Sequence, residues 1–173
     1  MARVIYEDTR QQKGKHTRKH EYWAAHGVEV VRKKLDFGDY MTDGSNVVID
    51  TKKGLQEICS NVGTEHARFV REIERAQVQG YKIVFLIEQP GPVHCVDDIY
   101  MWTNNTCERC SYFRALQCDS VVSKCIKYRH RPMTGSTLQK IIKSMHASHG
   151  CEFELISPDL SAARICELLG IDA

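Results

Sequence analysis

The sequence predicts an α/β fold, a mixed central sheet flanked by helices, from three observations. Apolar runs of strand length alternate with segments of helical periodicity along the chain. The run Ile83-Val84-Phe85-Leu86-Ile87 is apolar throughout and fits a central strand. Val47-Val48-Ile49 is also continuous rather than alternating, as a strand covered on both faces requires. The chain has 173 residues, enough for a single domain over 1–173 with a substantial core.

Taken in order, Arg3–Glu7 reads as the first strand, with Asp8-Thr9-Arg10 leaving its end. Arg18–His26 reads as a short helix closed by Gly27. Val28–Leu35 returns to strand, and Tyr40–Thr42 with Val47–Asp50 forms a hairpin around Asp43-Gly44-Ser45-Asn46. Leu55–Ser60 is a short helix. Thr64–Gln79 is a longer one stopped by Gly80, with Phe69, Ile73 and Ala76 on one face. Arg68 and Glu72, four residues apart, fit a surface ion pair on its other side. The central strand ends in Glu88-Gln89-Pro90-Gly91-Pro92. Thr134 caps a helix whose stripe is Leu138, Ile141, Ile142 and Met145, ending near Gly150. Glu152–Ile156 is the last strand. Ser157-Pro158 then supplies a cap and a first-turn proline for a helix closing at Gly170. Only 100–132 lacks clear periodicity, and it reads as an insert rich in Cys, Asn, Arg and Lys.

Composition narrows the function classes. No apolar run approaches the roughly 20 residues that span a bilayer, and the N-terminus lacks the apolar centre of a signal peptide. The expectation is a cytoplasmic protein without a membrane partner. The net charge of +2 is uninformative, but seven Lys or Arg against two acids lie between Lys13 and Lys34. Such a patch fits either a polyanion or a solvated basic face.

The most definite chemistry lies in Phe37-Gly38-Asp39-Tyr40 and, a few residues on, Val47-Val48-Ile49-Asp50-Thr51-Lys52. Strand alternation puts Asp50 and Lys52 on one face, and the preceding turn can fold Asp39 toward them. Two carboxylates can hold a hard divalent cation, and an adjacent ammonium can orient a water. The same residues could be only a turn aspartate and a rim salt bridge.

These residues come in a recognisable order with Asp8-Thr9-Arg10, His66-x-Arg68-Phe69-x-x-Glu72 and Phe85-Leu86-Ile87-Glu88. The order resembles the XPF-like nucleases of the restriction-endonuclease-like PD-(D/E)xK fold, over nearly the whole chain except the insert. The resemblance implies a DNA endonuclease that depends on Mg²⁺ or Mn²⁺ and acts on flaps, forks or junctions. Asp39 matches the aspartate of the family's Gly-Asp motif, and Asp50-Thr51-Lys52 falls where the family has Glu-Arg-Lys. By that match Asp39 and Asp50 hold the metal with the Thr51 carbonyl as a third ligand, and Lys52 positions the water. Thr51 replaces the family's arginine, and Gln56 stands in place of a further aspartate, beside Glu57. Asp8, with Arg10, matches the family's Asp-x-Arg as an additional catalytic acid, although a turn-capping role is equally consistent. Arg10, Lys13, Lys15, Arg18 and Lys53 are the expected DNA contacts. Two other readings stay open: a restriction or junction-resolving nuclease on this fold, and a catalytically weak DNA-binding module. Substrate geometry then depends on a homodimer, a partner protein or the insert.

The insert holds Cys107-x2-Cys110-x7-Cys118-x6-Cys125. Four thiolates suit one tetrahedral Zn²⁺, while free structural thiols remain an alternative, and His94, Cys95 and His130 are competing ligands. Arg109, Arg114, Lys124, Lys127, Arg129 and Arg131, interleaved with Tyr112, Phe113 and Tyr128, could grip a nucleic-acid strand or a partner.

Overall fold

The computed structural model describes residues 3–12, 14–118 and 125–172. Its strands are β1 (Val4–Asp8), β2 (Glu29–Lys33), β3 (Tyr40–Met41), β4 (Val47–Lys52), β5 (Lys82–Glu88) and β6 (Glu152–Ile156). Its α-helices are α1 (Thr17–Ala25), α2 (Leu55–Val62), α3 (His66–Val78), α4 (Asn105–Glu108), α5 (Ser111–Arg114), α6 (Gly135–His149) and α7 (Ser161–Leu169). The expected α/β architecture is present.

The strands make one six-stranded sheet in the order β2-β1-β3-β4-β5-β6. β3 runs antiparallel to both β1 and β4, and every other pairing is parallel. The carboxyl ends of five strands therefore meet the start of β3 at one end of the sheet. In α/β sheets that end is where ligands are taken up.

Alternation along β4 sets the two cores. Val48 packs with Leu55, Ile58, Phe69 and Phe85 on the side of α2 and α3. Ile49 packs with Ile5, Trp23, Tyr40 and Ile165 on the side of α1 and α7. Asp50 and Lys52, at even spacing from Val48, follow the α3 side.

Boundaries differ from expectation where tertiary contacts intervene. β4 runs on to Lys52, because each of its residues pairs with β5. Ser157 makes no side-chain cap. Pro158–Leu160 forms a 3-10 turn and α7 starts at Ser161, whose hydroxyl donates to Glu88 at 2.6 Å. Thr134 does cap α6, accepting from the Thr137 N–H at 3.2 Å.

The described part of 100–132 is joined to the domain at both ends. At its start the Asn105 N–H donates to the Gln56 side chain at 2.9 Å, and Asn104 donates to the Cys59 sulfur at 3.5 Å. At its far end Gly135 lies against backbone: an added Cβ would come within 2.3 Å of the Ile99 carbonyl oxygen. No helix among the described residues is long and apolar enough to cross a membrane.

Candidate active site

Gly38 makes the first part of the site. Its φ is +66°, and a Cβ there would meet Val48 Cγ1 at 2.3 Å. Only glycine allows the chain to lie this close to β4 in that conformation. Asp39 is then bonded between two strands: its N–H donates to the Ile49 carbonyl at 2.8 Å, and its carbonyl accepts the Asp8 N–H at 2.9 Å. Its side-chain Oδ2 accepts the Thr51 N–H at 2.8 Å and the Thr51 hydroxyl at 2.6 Å. Among the described residues, no side chain or backbone group donates to its other oxygen.

Asp50 is 5% exposed, and Lys52 Nζ stands 2.8 Å from its Oδ1. Burial pushes the Asp50 carboxyl up to about 7; Lys52 opposes that shift, and the nearby Asp39 and Glu72 charges reinforce it. Burial also pulls Lys52 down, but the carboxylates of Asp50, Asp39 and Glu57 outweigh it, so the ammonium stays charged. The pair sits over the aromatic floor of the core, with Lys52 Nζ 5.9 Å from the Phe69 ring centroid and 5.8 Å from that of Phe85. The Asp39 charge therefore acts on the Asp50 carboxyl.

Glu72 corrects that reading. It is half-buried and accepts the Gly38 N–H at 3.3 Å, while Arg68 pairs instead with Glu65. The signal was present, because Glu72 lies three residues after Phe69 and four before Ala76, on the edge of the buried stripe.

Asp8 and Arg10 are also at this end. Asp8 is 1% exposed and both of its oxygens are committed to Arg10: Oδ1 accepts the backbone N–H at 2.8 Å and Oδ2 the guanidinium Nε at 2.6 Å. Arg10 is anchored further by the Leu35 carbonyl at 3.0 Å and lies within the charge fields of Glu72 and Asp39. Asp8 thus holds the arginine rather than facing the site as a free acid.

Of the expected DNA contacts, Lys15 and Lys53 are exposed at the rim, and the nearby Lys53 lowers the Lys15 pKa. Arg18 is taken up in an exposed ion pair with Asp159 at 3.0 Å. Lys13 and Lys124 lie outside the described residues. On the α1 side of the same sheet end, sequence reasoning missed two pairs that each contain a buried charged residue. Glu7 meets His20 at 3.1 Å, and Lys19 meets Glu88 at 2.5 Å. The available signal was an acid terminating an apolar strand.

Cys107, Cys118 and Cys125 line one cavity of about 870 Å³, together with Trp102, Phe113 and Arg131. Among the described residues, no three His, Cys, Asp or Glu side chains stand ready to hold a metal ion, either here or at the acids.

The class is thus an α/β protein whose parallel strand ends gather two aspartates, a glutamate and a lysine. Its fold is XPF-like: it is similar to the solved structure of XPF from Aeropyrum pernix, with a TM-score of 0.58 and 16% identity. The likeness covers 96% of this chain but only 60% of that one, so the chain spans less than two thirds of its neighbour. No protein-family model matches the sequence, and no curated protein matches it.

Proposed function

We propose that this chain is a metal-dependent DNA endonuclease that hydrolyses phosphodiester bonds in branched or structured DNA. The observation that carries the reading is the meeting of Asp39, Asp50 and Lys52 at the end of β4, with Glu72 behind them. The XPF-like fold supports DNA as the polymer.

The donors fit a hard cation. They are carboxylate oxygens, and Asp50 is a buried acid whose charged form is disfavoured until a cation balances it. Mg²⁺ or Mn²⁺ would be held by Asp39 and Asp50 with the Thr51 carbonyl, and when bound would polarise the phosphate and acidify its water. Thr51 fixes the Asp39 carboxylate through its N–H and hydroxyl. Lys52, kept charged, would orient the attacking water or stabilise the negative charge that develops on the phosphoryl oxygens. Arg10, held by Asp8, contributes a guanidinium to the phosphate backbone. Lys15 and Lys53, both exposed at the rim, would contact a flanking phosphate. A second copy, a partner protein or the insert would supply substrate geometry.

One observation favours the alternative, a weak or inactive DNA-binding module: one oxygen of each aspartate is already engaged, Asp50 Oδ1 by Lys52 and Asp39 Oδ2 by Thr51. Incubation with flap, fork, four-way and linear duplex DNA in Mg²⁺ or Mn²⁺ distinguishes the readings. Cleavage of the branched substrates, lost in Asp39→Asn and Lys52→Ala, is expected. Binding without cleavage in either metal would favour the inactive module. Cutting of linear duplex at one sequence would favour a restriction-type enzyme.

A further inference from the structure

The insert is built differently from the rest of the chain. α4 and α5 are four residues each and bury no residue of their own. Leu116 is 92% exposed and has φ 55°, the one positive φ outside glycine among the described residues. Ile126 is 61% exposed. A segment with so little apolar burial cannot offset the entropy of ordering it. Something else has to fix its path.

The cysteines are arranged for that task. Cys107, Cys118 and Cys125 open onto a shared cavity. Cys110 is buried, its N–H donates to the Cys107 carbonyl at 2.9 Å, and its charge acts on Cys107. The Tyr112 and Phe113 N–H groups, two and three residues on, favour the Cys110 thiolate and lower its pKa. The Cys125 sulfur accepts the Tyr128 N–H at 3.3 Å, again three residues on. Amide N–H groups directed at sulfur are the outer-shell support that orients a metal-bound thiolate. Lys127 and Arg114 act on Cys110, and Arg131 on Cys107, so positive charge surrounds the site. The other four cysteines do not share these features: Cys59, Cys151 and Cys166 are buried singly in the cores, and Cys95 is exposed.

We propose that Cys107, Cys110, Cys118 and Cys125 bind one structural zinc ion that fixes the path of the insert. Four sulfurs suit tetrahedral zinc, and an all-thiolate set leaves no open position for catalysis. On binding, each S–H loses its proton to solvent as a Zn–S bond forms. The ion draws Cys107, Cys118 and Cys125 inward across the cavity they line, a closure that converts metal affinity into folding free energy. The site does not depend on the acids of β4.

The test is elemental analysis of untagged protein purified under reducing conditions without chelator. About one zinc per chain is expected, surviving dialysis and released by a thiol-modifying reagent. Cobalt replacement should give the sulfur-to-metal charge transfer and strong visible bands of a tetrahedral thiolate site. Each Cys→Ser change at the four positions should cut zinc below about a fifth of a mole per chain. Cys95→Ser and His130→Ala should leave it unchanged. If a serine variant does not fold, the thiols titrated per zinc released from the wild type decide the point, and four are expected. Wild-type protein with almost no zinc, with iron in its place, or with zinc retained in all four serine variants would overturn the proposal. Metal content is read without any DNA, so this outcome is separate from that of the nuclease reading.

Discussion

Residues 37–52 and residues 100–132 both present reactive side chains, and they are held in opposite ways. In the first stretch the backbone does the positioning. Asp39 is bonded to two strands at once, Gly38 fills a space that admits no Cβ, and Asp50 and Lys52 project from a fully paired strand. In the second stretch the helices are a single turn long and Leu116 and Ile126 face solvent. The difference teaches where sequence is constrained by space and where by chemistry. Around Asp39 the neighbours decide which residue fits; around the cysteines, a bound ion would decide.

The contrast can be broken first by activity. Asp39→Asn should lower cleavage by about a thousandfold or more with DNA binding within a few fold. Cys118→Ser should change the cleavage rate by less than about tenfold while releasing zinc. Single-turnover assays on a fork substrate, with binding measured in Ca²⁺, read both. Equal loss from the two variants would erase the distinction between the regions.

Stability gives the next largest effect. Gly38→Ala combines a positive φ with a contact at 2.3 Å and should cost roughly 3 kcal/mol, lowering Tm by about 6–12 °C. Leu116→Gly removes strain at an exposed turn and should shift Tm by no more than about 2 °C. Thermal unfolding by circular dichroism tests the pair.

A smaller effect should appear with pH. The folded-state pKa of Asp50 is raised to about 7, above its ordinary value, so its stabilising contribution is complete below that ordinary value. It is lost as pH rises through about 7. In chelator, Tm should therefore fall between pH 5 and pH 8 by about 3–6 °C more in the wild type than in Asp50→Asn. Saturating Mg²⁺ should flatten the wild-type slope. Parallel slopes in the two proteins would show that Asp50 is not the titrating group.

The smallest change is Glu72→Gln, which keeps the bond from the Gly38 N–H but removes one negative charge facing Asp50. Cleavage should fall by about three- to tenfold, with the acidic limb of the pH–rate profile moved downward. An unchanged profile would leave Glu72 as a support for the turn alone.

Much of this is legible in the sequence. Period-two alternation placed Asp50 beside Lys52, and the Val47–Ile49 and Ile83–Ile87 runs gave the paired centre of the sheet. What escaped were roles set by contacts distant in sequence. Glu72 was read as the partner of Arg68 because the helix was considered alone, without the Gly38 turn pressed against it. For Asp8 the sequence leaves an acid for the reaction and a turn cap equally open, because the closing of its two oxygens on Arg10 is visible only in the fold. Ser157 was read as a cap because the pull of Glu88 on Ser161 comes from another strand. Side-chain type and spacing reveal which groups are present, but their commitments depend on the folded neighbours.

The bond from the Asn105 N–H to Gln56 has a practical consequence. Gln56 lies in the first turn of α2, four residues beyond Lys52, so the insert is stitched to the segment that leaves the lysine strand. The seam also includes Asn104 on Cys59 and Gly135 against the carbonyls of Ile99, Tyr100 and Trp102. A trimmed version of the protein would have to cut between Asn105 and Thr134 and rejoin there. Cutting earlier would strip a donor from the turn that follows Lys52.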